Sequence, residues 1–220
     1  METEHKNAAE TRQKNPRTNW IQRLGWQKLL FESFLIVLSI LFALLINEWR
    51  KGQEQAEQRD KALNMVLQEL KHNYEELEIV MPYHQKVNAG LDSILTNSTG
   101  EALSDSPLKQ ILSSVARRGI MPPELQTTAW NTSQLSGAMS LFDEETIYAL
   151  ANVYELQANG VGLTWKEIAN FYLSPSLFDM EKNQIHLSLL AVYFYELYQQ
   201  ERFLMDRTGE AIKTLEGKVK

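Results

Sequence analysis

The chain contains no cysteine. That excludes attachment of a lipid to cysteine, a thiol nucleophile, disulfides, and cysteine-ligated zinc or iron–sulfur centres. It fits either side of a membrane, so it leaves the orientation open. Strand signals are missing as well: no sustained period-two run with β-branched residues occurs. There is no glycine-rich phosphate loop, no nucleophile elbow and no Ser-x-x-Lys signature. Histidine is scarce, at four copies. Glu69 and His72 have the Glu-x-x-His spacing of di-iron bundles, which puts both groups on one helix face, but no second copy exists to complete such a site. A solvated helix face is therefore expected there. His84 falls on an apolar seam and is expected as a core or interface histidine, and His186 has no obvious partner. Tyr193, Phe194, Tyr195 and Tyr198 spread over nearly all sides of one helix, which suits core plus interface better than a ligand cage. No catalytic residue, metal or cofactor is expected, and the chain reads as a non-enzyme.

Only one long uncharged run is present. Residues 29–49 read LLFESFLIVLSILFALLINEW, with no charge between Phe34 and Ile46 and Ser39 as the one hydroxyl there. Its 18 or so usable residues make roughly 27 Å of helix, close to the thickness of the hydrocarbon layer. A soluble core helix keeps a polar face, and this one has almost none. Trp20, Trp26 and Trp49 bracket the run, as indole rings do at headgroup level, and Arg50 can snorkel at the far end. A cleaved signal peptide would need small residues after the run, where the chain has Leu45, Ile46, Asn47, Glu48 and Trp49. An uncleaved signal anchor is expected.

Charge divides at the run. Residues 1–28 carry six basic and three acidic side chains; residues 50–220 carry 16 basic and 23 acidic, a net −7. Six Lys and Arg before the run against four just after it (Arg50, Lys51, Arg59, Lys61) favour an N-terminus in the cytoplasm and a C-terminal domain outside. The acidic balance of that domain argues against nucleic acid as a partner.

The order of the chain follows. Residues 1–17 are polar and expected to be a disordered cytoplasmic tail, and residues 18–28 an interfacial amphipathic lead-in to the transmembrane helix at 29–49. Residues 50–220 form the extracytoplasmic helical domain. Apolar residues recur in steps of three and four from Leu63 to Ile94, which predicts a long helix with a coiled-coil-like seam, kinked or ended by Pro82, with Gly52 a weak point at the membrane surface. A loop is expected over 97–106. Shorter helices follow: one capped by Ser106 and Pro107 and stopped near Gly119, one over 124–135 ended by Gly137, one capped by Asp143 and ended at Gly160, and one opened by the capping box at 164–167 and broken at Ser174-Pro175. The last, about 181–215, repeats Leu187, Leu190, Phe194, Leu197, Leu204, Thr208 and Ile212 at near-heptad spacing. The fold class is all-α: one N-terminal transmembrane helix, then an antiparallel helical domain with two long helices and several short ones.

Within the run, Glu32, Ser39, Ala43 and Asn47 line one side of the helix. Small and polar side chains in a stripe let a second helix approach and give it hydrogen-bonding groups. Two readings of the stripe stay open: helix association, or Glu32 snorkelling to the headgroups with the rest incidental. The stretch from Glu32, ESFLIVLSILFALLINEWR, resembles the N-terminal signature of a family of uncharacterised bacterial single-pass membrane proteins, a domain of unknown function. Glu32, Leu35, Val37, Ile40, Leu41, Ala43, Leu44, Ile46, Asn47 and Trp49 fall in place. Ser39, Leu45 and Glu48 depart from it, standing where the signature has glycine, glutamine and asparagine. Ala129-Trp130-Asn131 and Ser136-Gly137-Ala138 extend the likeness beyond the span. The resemblance implies a span and a bacterial cytoplasmic (inner) membrane, and it implies no activity. The expected function is a membrane-anchored helical scaffold or interaction protein. Its expected partners are the lipid bilayer and either a second copy or another membrane protein. The alternative is a ligand-binding or sensor-like module acting through a membrane partner.

Overall fold

Two stretches of one helix meet very different surroundings. The computed structural model describes residues 18–98, 103 and 107–219, with side chains from residue 25 on, residue 176 excepted. The tail at 1–17, most of the loop at 97–106, the Ser106 cap and the Trp20 side chain lie outside the described residues. All the elements found are helical: among the described residues there is no strand. The first helix, α1, is Thr18–Asn97, and the chain divides into two units between Glu54 and Gln55.

In the first unit, α1 holds one stretch long and apolar enough to cross a membrane, and none of it is buried. From residue 25 to 54 every side chain is exposed except Leu38, which is partly covered. The helix runs unbroken through Gly52, so the weak point expected there is not a helix end.

In the second unit, α1 is followed by α2 (Leu108–Val115), α3 (Thr128–Leu135), a 3₁₀ turn (Ala138–Leu141), α4 (Glu144–Leu156), a π turn (Gln157–Val161), α5 (Gly162–Tyr172), two 3₁₀ turns and α6 (Asn183–Glu216). The core is built from Leu70, Leu77 and Leu91 of α1, Leu150 of α4, Ile168 of α5, and Leu187, Leu190, Phe194, Leu197, Leu204 and Leu215 of α6. Each such side chain removed from water contributes roughly 1.5–3 kcal/mol. Lys71 pairs with Glu216 at 2.6 Å, the Tyr74 ring lies against Gly209, and His84 pairs with Glu201 at 2.8 Å.

Pro82 lies inside α1 and does not end it. Pro82 and Glu78 are both on the exposed side, so the carbonyl that loses its intrahelical donor faces water, while Leu77, Val80 and Val87 keep the helix packed on either side. Gly90 lets α2 lie close: a Cβ there would sit 2.7 Å from Cγ1 of Val115.

Three helix boundaries differ from the sequence expectation. The helix expected over 124–135 starts at Thr128, because both backbone groups of Gln126 bond to the Asn73 side chain of α1 instead of within a helix. Its end is as expected, at Gly137, whose φ of +73° suits glycine. Asp143 caps α4 by accepting from the Thr146 N–H at 2.9 Å. Past Leu156, however, the chain does not stop at Gly160; the π turn carries it directly into α5. Thr164 therefore sits within a helix whose N–H groups already have partners, and the capping box at 164–167 opens nothing.

Candidate functional site

In the first unit, the stripe Glu32, Ser39, Ala43 and Asn47 lies on the exposed surface of α1. Its polar groups bond locally. Ser39 Oγ donates to the Leu35 carbonyl at 2.7 Å, and Glu32 stands 3.9 Å from Lys28. Trp26 and Trp49 are both largely exposed, and Arg50 meets Glu54 at 3.6 Å. The stripe is thus open to a neighbour along its length.

The second unit shows an arrangement of polar side chains on the buried face of α1. Glu69, Asn73 and His84 are all buried, and Tyr83 is half-buried. At 100° per residue the four fall within about 100° of the helix circumference. Tyr83, His84 and Asn73 bond to the chain between α2 and α3, and Glu69 to the first turn of α3 and to α4. The Tyr83 hydroxyl donates to the Gly119 carbonyl at 2.6 Å and accepts from the Arg118 N–H at 3.1 Å. Nε2 of His84 lies 2.9 Å from the Met121 carbonyl oxygen and 3.3 Å from that of Ile120. Asn73 holds Gln126 at both backbone groups, accepting from its N–H at 2.7 Å and donating to its carbonyl at 2.8 Å. Gln157, placed by the π turn, donates to the same carbonyl at 3.2 Å and accepts from Asn73 at 3.3 Å. Glu69 accepts from the N–H groups of Ala129 and Trp130, at 2.6 and 3.1 Å, and from the Tyr154 hydroxyl at 2.6 Å.

These residues form a ladder that fixes the backbone of residues 117–130. Glu69 supplies a negative group at the N-terminus of α3, where unpaired N–H groups and the helix dipole favour one. The Tyr154 ring stacks on Trp130 at 4.9 Å. Burial pushes the Tyr154 phenol far above its ordinary value, and the Glu69 carboxylate adds to the rise. Met121 has φ of +39°, in the left-handed region, immediately before Pro122. A non-glycine residue held there costs about 1–3 kcal/mol, and a following proline disfavours helical ψ further. The bond to His84 is one of the contacts that hold it there.

His84 and Glu201 are both wholly inaccessible to water. Nδ1 of His84 lies 2.8 and 3.0 Å from the two carboxylate oxygens. Burial raises the Glu201 carboxyl above the usual carboxylate range, opposed by the hydrogen bond and charge of His84. At the surface, Lys218 joins Asp143 and Glu145, each at 2.8 Å. The Lys218 ammonium, followed by the Thr146 N–H, lowers the Asp143 carboxyl to about 2.

The sequence reading of His84 as a core histidine agrees with its burial. The reading of Glu69 as solvated does not: it is buried and accepts three hydrogen bonds, because α3 and α4 bring N–H and O–H donors onto it. A signal was present, since Glu69, Asn73 and His84 fall on the arc of Val66 and Val80; polar residues among core positions imply partners there. His186 is also buried, edge-on to Phe171. Of the tyrosine cluster, Phe194 is core and Tyr195 is about half exposed. Among the described residues, no group of three or more His, Asp or Glu could hold a metal ion.

A groove of about 540 Å³ lies between α2 and the turns at 172–180. Its walls are mainly apolar, including Leu108, Leu112, Leu177 and Phe178, with Lys109, Tyr172 and Ser174 as polar members. Leu173 and Phe178, which line it, are well exposed. Ile185, Val192, Tyr195 and Phe203 of α6 are exposed as well. No family model, curated protein or solved structure matches the chain.

Proposed function

We propose that the chain is a membrane-anchored helical scaffold or interaction protein of a bacterial cytoplasmic membrane, with its N-terminus in the cytoplasm and residues 50–220 outside. The observation that carries the reading is the apolar stretch of α1, none of it buried, which in water would leave a long helix with nothing to cover it. The basic residues before it, Trp26 and Trp49 at its ends, and the resemblance of residues 32–50 to single-pass proteins support the same reading. In the outer domain α1 and α6 act as an antiparallel pair; the contacts Lys71–Glu216, Tyr74–Gly209 and His84–Glu201 support this, since one number falls as the other rises. Assembly runs through the stripe Glu32, Ser39, Ala43 and Asn47, with a second copy or another membrane protein.

The chain has no cysteine of its own, which makes the test direct. Single cysteines at 39 and 43 should crosslink in membranes at several times the yield of cysteines at 37 and 41. Equal yields would remove the stripe from the proposal. Recovery of the full chain in the soluble fraction after alkaline extraction would remove the anchor itself. A second reading, an extracytoplasmic binding module acting through a membrane partner, is favoured by the apolar groove beside α2, which suits an apolar ligand.

A further inference from the structure

We propose that the His84–Glu201 pair is a proton-operated latch that holds residues 117–127 closed and lets them open as pH rises above neutrality. Both ring nitrogens of His84 face acceptors: Nδ1 the two Glu201 oxygens, Nε2 the carbonyls of Met121 and Ile120. A carbonyl oxygen only accepts, so Nε2 must carry a hydrogen. A second hydrogen must lie between Nδ1 and the carboxylate. Whether it sits on nitrogen, as an imidazolium beside a carboxylate, or on oxygen, as a neutral pair, the closed site holds one titratable proton.

Losing that proton leaves a lone pair of Nδ1 against a carboxylate, with a net negative charge where neither side chain reaches water. No nearby group replaces it. From α1 itself the neighbour is Tyr83, whose phenol burial raises and which stays protonated through the range considered. From the held segment it is Arg118, whose guanidinium lies 5.7 Å over the Tyr83 ring. From α5 it is Tyr172, next to Tyr83. From α6, apart from Glu201, it is the Phe194 ring at 5.8 Å, which carries no charge.

The sign follows from linkage. In the open state the pair is no longer shut away from water, and an imidazole in water is neutral above about pH 6.5. The closed state keeps one proton, so it binds more protons than the open state above that pH. Opening is then favoured by up to about tenfold per pH unit until the closed pair itself titrates. The segment is poised to respond, because the Met121 backbone is held in the left-handed region at φ +39°.

Hydrogen exchange on the full chain in detergent micelles tests this, with rates corrected for the base catalysis of exchange itself. The reporters are the amides of Arg118 and Gln126, which donate to Tyr83 and Asn73. Between pH 6.5 and 8.5 their opening constant should rise about tenfold per unit, with amides of α4 as the unchanged reference. In Glu201→Gln the amide donates to the neutral Nδ1 and no shared proton remains, so the profile should be flat. A flat profile in the unsubstituted chain, or the same slope in Glu201→Gln, would overturn the latch. Should Glu201→Gln fail to fold, the imidazole ¹⁵N shifts of the unsubstituted chain decide. Closed protein at pH 7 should show the signature of a ring hydrogen-bonded through hydrogen at both nitrogens, and a bare Nδ1 lone pair would refute the proposal.

Discussion

The same helix solves the problem of its polar groups in two ways. Before Glu54, the polar side chains of α1 bond within their own helix: Ser39 to the carbonyl of Leu35, Lys28 to Glu32, Arg50 to Glu54. After Gln55 the exposed ones still bond locally, as Asn64 does to Asp60, but the buried ones bond far along the chain: Asn73 to Gln126, Glu69 to Ala129 and Trp130, His84 to Met121 and Glu201. Local bonding leaves a side chain free of any particular partner and suits a helix whose surroundings are lipid or another helix. Long-range bonding ties the helix to one arrangement of the rest of the chain. The packed half of α1 therefore owes its specificity to buried polar groups, and the half before Glu54 keeps its surface uncommitted.

The comparison predicts a steep gradient in what substitutions do to unfolding. Glu201→Ala should cost most, about 3–5 kcal/mol, because it strands His84 away from water with one nitrogen unpaired. Chemical denaturation of the full chain, read on the second unit, would measure it. A cost below about 1 kcal/mol would mean that water reaches the pair and that burial does not govern it. Next comes Glu69→Ala, which leaves three donors without their acceptor and should cost about 3 kcal/mol. Glu69→Gln keeps one carbonyl oxygen and should cost about half as much. If both substitutions cost the same, the charge at the start of α3 matters and the number of accepted bonds does not.

The helical class was legible because the apolar spacing of α1 and α6 is regular over many turns, as in Leu187, Leu190, Phe194, Leu197 and Leu204. The caps made by single residues in sequence were legible too, namely Asp143 and Gly137. What escaped were features made by partners distant in the chain. Residues 124–127 have acceptable helix propensity, yet Asn73 takes the backbone groups of Gln126 from 53 positions away. The capping box at 164–167 is locally sound, but the π turn before it had already supplied a helix. Glu69 read as solvated because its neighbours in sequence are charged, and its neighbours in space are not.

The smallest expected effect is in the apolar stretch and sharpens the contrast most. Ser39→Ala removes a hydroxyl whose bond goes to a carbonyl of its own helix. That carbonyl retains its ordinary helical donor, and such back-bonding by serine adds little to helix stability. Denaturation of the second unit should therefore move by less than about 0.5 kcal/mol. Crosslinking through a cysteine at 43 should respond differently, because Ser39 is exposed and the hydroxyl can turn to a neighbouring helix. A drop in that yield without any change in unfolding would separate the two roles within one helix. A loss of stability in the second unit would instead show that the apolar stretch is coupled to the core, and the distinction between the two halves of α1 would fail.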